Sequence, residues 1–309
     1  MPCVPVLKVT LAAVFVLAAG CASMSANPTK EEADQHVSEK TEAAITRGDQ
    51  AWRDGDLDRA LLEYVTALGF DGANVEALYK VASIHSAKGN HQKAEQAFRQ
   101  VLAQKQGDAR VLEGLGLVLL KQQRQEQAQA ILAKAVALEP RLWRAQNGLG
   151  VIYDLKGDHR RAQHHYQAAR QERPDSPLVL NNLGYSNYLS HNWVPAQRYF
   201  EQALTKDPKN QNAWSNLGLI HVRQDRYEEA AQAFQQIMDA SQAANTIGHL
   251  CMVDGKYDDA ERFFSEAIRL SPSYYSAAHT NLAKVQARNR KGGVHRAVET
   301  NRLSRWAIE

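Results

Sequence analysis

Small apolar residues recur at a fixed interval along this chain. From Ala60, steps of 34 residues land on Ala94, Ala128, Ala162, Ala196 and Ala230, and a shorter step of 30 reaches Ala260. Four residues past each alanine comes a large apolar side chain (Tyr64, Phe98, Leu132, Tyr166, Phe200, Phe234, Phe264), and seven past it a smaller one (Ala67, Val101, Ala135, Ala169, Ala203, Ile237, Ala267). Offsets of four and seven keep these residues on one face of a helix. Twelve positions before each alanine stands a Gly or another Ala: Gly48, Ala82, Gly116, Gly150, Gly184, Gly218 and Gly248. Between the two lie turn sequences, as at 53–56, 87–90, 155–158 and 253–256, that place Gly where a left-handed residue ends a first helix. Two antiparallel helices approach closely only where one presents Gly or Ala and the other fills the gap with a large side chain. The pattern therefore predicts helical hairpins, repeated, with no strands.

Small residues at positions 8, 20 and 27 of a 34-residue unit, an aromatic residue near 24 and Pro at 32 (Pro140, Pro174, Pro208, Pro272) resemble the tetratricopeptide repeat family. The resemblance implies an all-α, right-handed superhelical solenoid of about seven helix-turn-helix repeats. They fall at 41–74, 75–108, 109–142, 143–176, 177–210, 211–240 and 241–274. Arg47 marks the first as an atypical end unit, and the sixth is four residues short after Met238. Residues 275–289 form the expected capping helix over the last apolar face, followed by a basic tail at 290–309.

Composition agrees with a folded helical chain. Of 309 residues 44% are hydrophobic and only 7% aromatic, enough for a core and poor for a sheet. The net charge is +3, but the stretch from Lys284 onward carries +5 and the rest −2. A body so close to neutral argues against nucleic acid as a partner. The 11 histidines form no His-Glu-x-x-His motif, and His164 and His165 point to different helix faces. His85 and His221 share repeat position 11 with Tyr153 and Cys251, so all four are expected to pack in the core. Gly114–Gly116 and Gly148–Gly150 sit inside helices and lack the strand of a phosphate loop. No metal, no cofactor and no catalytic constellation is expected.

The N-terminus carries a different message. Residues 9–19 make an apolar run of eleven behind Lys8, shorter than the roughly 20 residues needed to span a bilayer. It reads as the core of a signal peptide at 1–20. Leu17-Ala18-Ala19-Gly20-Cys21 then resembles the lipobox of bacterial lipoproteins, with Ala18 where the strongest examples place Leu. That resemblance implies cleavage before Cys21 and lipidation of its thiol, with a tether and N-terminal helix over 21–40. Ala22 and Ser23 after the cysteine imply sorting to the outer membrane, on the periplasmic face. Cys3 lies in the segment that is removed, so no disulfide framework is available to the mature chain.

The first helix of each repeat carries a second stripe, at positions 2, 5, 9 and 12, which in this repeat family lines the concave groove. Here it offers Asn147, Asn181 and Asn182 with Asn216 at positions 5 and 6, and Tyr185, Tyr188 and Leu219 close by. Amides supply donor and acceptor together to a peptide backbone, and the rings and Leu219 accept side chains. These seven residues are the candidate partner-binding groove, expected to be solvent-exposed. The segments from Asn147 to Asp158, from Asn181 to Ser186, and from Ile247 through Tyr275 resemble the TadD lipoproteins of tight-adherence (Flp pilus) systems. That resemblance implies a scaffold for pilus or secretion-machine assembly, with the secretin or another assembly component as protein partner. The alternatives are the tetratricopeptide pilotin of type IVa pili, and a periplasmic adaptor recruiting a protease or cell-wall hydrolase. If the lipobox reading is right, Cys21→Ser abolishes incorporation of labelled fatty acid, and label retained by the variant overturns it.

Overall fold

The computed structural model describes residues 29–305. Fifteen helices follow one another there, without strands among the described residues: α1 (Lys30–Arg53), α2 (Leu57–Phe70), α3 (Val75–Ala87), α4 (His91–Gln104), α5 (Ala109–Lys121), α6 (Gln125–Leu138), α7 (Trp143–Leu155) and α8 (His159–Glu172). The series continues with α9 (Pro177–Leu189), α10 (Trp193–Lys206), α11 (Gln211–Arg223), α12 (Tyr227–Phe234), α13 (Ala240–Val253), α14 (Tyr257–Leu270) and α15 (Ser276–Arg305). Odd and even helices pair as hairpins, and each hairpin packs on the next, so the core is a continuous strip rather than a centre.

The periodic residues explain why the hairpins close. All seven alanines of the 34-residue series, from Ala60 to Ala260, are fully buried, as are the large side chains four positions on. Each ring lies against the small residue of the facing helix. A Cβ added at Gly184 would sit 2.5 Å from Phe200 Cε1, and at Gly150 it would sit 2.5 Å from Tyr166 Cε1. Gly48 and Tyr64 repeat this contact, as do Gly218 and Phe234. Burying a side chain of this size is worth about 1.5–3 kcal/mol, which outweighs the roughly 1 kcal/mol that Gly costs a helix interior. Gly148 extends the contact across the repeat boundary, where Leu132 of α6 fills the space.

The turn inside each hairpin requires one left-handed residue. Gly55, Gly89, Gly157 and Gly255 take φ of +74 to +80°, as their place in the sequence predicts. The same repeat position is filled by Gln123, His191 and Asp225, also at φ near +60°. No glycine marks these three turns in the sequence, yet the hairpin geometry imposes the conformation regardless of residue type.

First helices are begun by residue 34 of the preceding unit. Asn74, Asp108, Ser176 and Asn210 accept a hydrogen bond from a backbone N–H of the first turn. Leu142 cannot, and α7 is capped from outside: the Ala145 N–H donates to Glu113 Oε1 of the preceding repeat at 2.9 Å. Burial of the Glu113 carboxyl raises its pKa, opposed by this same N–H.

The sixth unit departs most from the rest. Its second helix α12 has 8 residues, where the other second helices have 14. A turn at 235–238 replaces the lost end, and Ile237 is only half-buried. A single helix covers Ser276–Arg305, with no proline to stop it at 290. His221 and Cys251 are buried, and His85 is half-buried. Burial lowers the pKa of both imidazoles and raises that of the thiol.

Two measurements read these constraints. Gly184→Ala should lower stability by about 1–3 kcal/mol in thermal or urea unfolding, because Phe200 must move. Gly69→Ala, with nothing near its added methyl, should be neutral or stabilising. Gln123→Gly should raise stability by on the order of 1 kcal/mol by relieving the left-handed strain, seen as a higher urea midpoint.

Candidate functional site

The candidate groove residues lie on the first helices of repeats four to six, and the structure divides them into two sets. Asn147 and Asn181, at position 5, are only 8% exposed. Asn182, Asn216, Tyr188 and Leu219 are half-buried, and Tyr185 is 41% exposed. The expectation that the groove asparagines are solvent-exposed is therefore corrected for Asn147 and Asn181, and all four are tied into the fold. Asn182 Nδ2 donates to Asn147 Oδ1 at 3.0 Å, and Asn216 Nδ2 donates to Asn181 Oδ1 at 3.0 Å. Position 5 of one repeat is the acceptor for position 6 of the next.

The physical reason is that successive first helices pack side by side, so residues near 35 apart meet. Glu113 does at the third repeat what these asparagines do at the fourth and fifth, through the Ala145 N–H. Asn281 of α15 likewise donates to Asn245 Oδ1 of the seventh repeat, at 3.4 Å. The ladder breaks between the sixth and seventh repeats. There Ser215 stands at position 5, and Thr246 at position 6 donates to the Gln242 carbonyl of its own helix at 2.9 Å. This is also where α12 is short.

The ladder uses only part of each amide. Asn147 and Asn181 spend their Oδ1 and Asn182 and Asn216 one N–H, which leaves donors on the first pair and Oδ1 acceptors on the second. Beside them is an aromatic group. Tyr185 and Tyr188 stack at 6.0 Å between centroids, Tyr188 lies 5.2 Å from Trp193, and His191 meets the Trp193 edge at 5.2 Å. Arg223 Nε donates to the Tyr188 hydroxyl at 3.0 Å and its guanidinium pairs with Asp254. Trp193, His191, Arg223 and Asp254 were missed by the periodicity, because each lies near a hairpin turn outside positions 2, 5, 9 and 12. One repeat earlier, Asp154 accepts from Ser186 Oγ at 2.8 Å and pairs with His159 Nδ1 at 2.8 Å.

The arrangement can hold an extended chain: amide groups at about 10 Å intervals, the usual spacing of packed helices, with an aromatic patch for one side chain. Among the described residues no set of three His, Cys, Asp or Glu converges on a metal position, and no helix is long and apolar enough to cross a membrane. Elsewhere, a cleft of about 620 Å³ opens where α12 stops, lined by Tyr227, Ala231, Ala244, Ile247, Phe263 and Leu270 among others. None of the seven groove residues borders it. Cys21 lies outside the described residues.

Comparison with known proteins places this geometry. Tetratricopeptide repeat models match residues 51–117, 113–177, 195–245 and 241–274. The type IV pilus assembly protein PilF of Pseudomonas aeruginosa is 26% identical over 238 residues, covering 74% of this chain and 93% of that protein. A solved structure of P. aeruginosa PilF superposes with a TM-score of 0.52 at 20% identity, over 82% of this chain and 99% of the other. A tetratricopeptide repeat protein of Parabacteroides merdae superposes with a TM-score of 0.55 at 14% identity, over 80% and 99%. With repeat models matching most of the solenoid, and the hairpin interlock present in every unit, this chain belongs to the tetratricopeptide repeat family.

Proposed function

We propose that this chain is a scaffold in the assembly of a pilus or secretion machine, and that its concave stripe grips an extended segment of a partner protein. The observation that carries the reading is the half-used asparagine ladder beside exposed Tyr185. Side-chain amides with one donor or acceptor left over suit a peptide backbone, whose groups are a donor and an acceptor per residue. The similarity to PilF along nearly its whole length supports a pilus system. Lipid on Cys21 would hold the scaffold at the periplasmic face of the outer membrane, where a secretin or another assembly component is the partner. The tight-adherence system is the first reading on the segments around Asn147, Asn181 and Ile247. The match to a type IV pilus assembly protein favours a pilotin of that pilus as the second.

Because Asn147, Asn181, Asn182 and Asn216 all join repeats, the test uses groove residues outside the ladder. Tyr185→Ala with Leu219→Ala should lower recovery of envelope partners in pull-down by about tenfold to hundredfold, matching roughly 1–3 kcal/mol for the lost apolar contacts. The helical circular dichroism spectrum should be retained. Unchanged recovery with intact helicity overturns the groove as the binding surface.

A further inference from the structure

The edge of the solenoid at which first helices begin and second helices end carries a cluster that the groove does not use. The Trp143 ring, at the start of α7, lies under two guanidiniums, Arg144 at 5.0 Å and Arg173 at 5.8 Å. Arg170, near the end of α8, lies 5.4 Å over the Tyr199 ring. None of these three arginines pairs with a carboxylate among the described residues, whereas Arg141 at the same edge is held by Glu172 at 2.9 Å. Over a ring face, a guanidinium keeps its full charge and most of its donors; Arg144 and Arg173 are exposed and Arg170 is half-buried. Two exposed leucines flank the cluster: Leu138 at the end of α6, 57% exposed, and Leu178 at the start of α9, 51% exposed. Arginine, tryptophan and leucine together at a surface fit the boundary between phospholipid headgroups and acyl chains, where the charge meets phosphate and the apolar parts leave water.

The course of the chain points the same way. Helix α1 begins at this edge, like every first helix, but has 24 residues where α3 has 13. The extra 11 residues lengthen α1 by about 16 Å at its N-terminal end. The described chain thus enters the solenoid from the edge at which first helices begin, the edge to which Trp143 and its arginines belong.

We propose that this edge, through Arg144, Arg170, Arg173, Trp143, Leu138 and Leu178, rests on an anionic phospholipid surface and sets the solenoid edge-on to the membrane. The inference rests on the reading that the chain is attached to a membrane at Cys21. Attachment alone leaves the body free to turn, and a second contact fixes which way the groove faces.

The test is vesicle sedimentation of the chain from Ala22 onward, which contains every helix described above and carries no acyl group. It should bind vesicles of phosphatidylethanolamine with phosphatidylglycerol, bind phosphatidylcholine vesicles far less, and release as salt rises. Arg144→Glu with Arg173→Glu should lower the partition coefficient at least about tenfold, given about 1 kcal/mol per basic residue at such a surface. The milder pair Arg144→Gln with Arg173→Gln should lower it in the same direction and serves if charge reversal disturbs folding. Equal binding by both pairs, equal binding to the two vesicle types, or loss of binding only on deleting residues 290–309 overturns the proposal. So does capture of acidic peptides without vesicle binding. Fatty-acid labelling of Cys21 is read separately, so failure of the tether and failure of this surface are distinguishable.

Discussion

The solenoid depends on one contact repeated along its length: a large side chain of the second helix seated on a residue of the first helix that has almost no side chain. Phe200 on Gly184 and Tyr166 on Gly150 show how little room there is, since a single added methyl would lie 2.5 Å from a ring carbon. Close approach of the two backbones lets Ala162, Ala169, Ala196 and Ala203 bury completely, although they are small. Alanines make up 23 of the 52 buried hydrophobic residues among those described, so much of the core has density without bulk. Each repeat buries only part of its apolar surface within itself, and the next repeat must cover the rest.

The joints between repeats are polar as well as apolar, and they lie beside the groove. Asn147–Asn182 and Asn181–Asn216 tie successive first helices through half of each amide, and Glu113 ties the third repeat to the fourth through the helix α7 backbone. A buried amide that bonds only at one register penalises sliding of one repeat on the next. The same residues leave unused donors and acceptors along the stripe. Stacking angle and groove chemistry are thus coupled: a change in one repeat-to-repeat angle moves the amides relative to each other. At the joint between the sixth and seventh repeats the ladder is missing, α12 is short, and the cleft by Phe263 and Leu270 opens. There the joint rests on apolar packing, Phe234 and Ile247 among its buried residues, and on the Asp225–Lys256 and Arg223–Asp254 pairs.

Cations are partnered in two ways, by carboxylates and by aromatic rings. Along the groove cations are matched locally, as Arg223 is by Asp254, and Lys80 by Asp49 at 2.7 Å. At the edge near Trp143, aromatic rings rather than carboxylates accompany three arginines. Helix ends meet at that edge, and their side chains are set by inter-helix packing and not by the repeat pattern.

What the chain declares in one dimension is the spacing of sizes. Helix hairpins, the 34-residue period, the short sixth unit and the prolines that end second helices are local or periodic properties, and so were legible in the sequence. The stripe of Asn147, Asn181, Asn182, Tyr185, Tyr188, Asn216 and Leu219 was legible as a face, because helical spacing assigns residues to faces. Its division into buried joints and open contacts was not, since that depends on residues about 35 positions away brought alongside by stacking. The left-handed turns at Gln123, His191 and Asp225 were hidden for a related reason: hairpin closure imposes a backbone conformation that these residues do not announce. The grouping of Trp193 with Tyr188 and Arg223, and of Trp143 with Arg173, likewise exists only once helix ends and turns are juxtaposed, because helical spacing assigns faces within one helix and not which side chains meet across a turn or between helices.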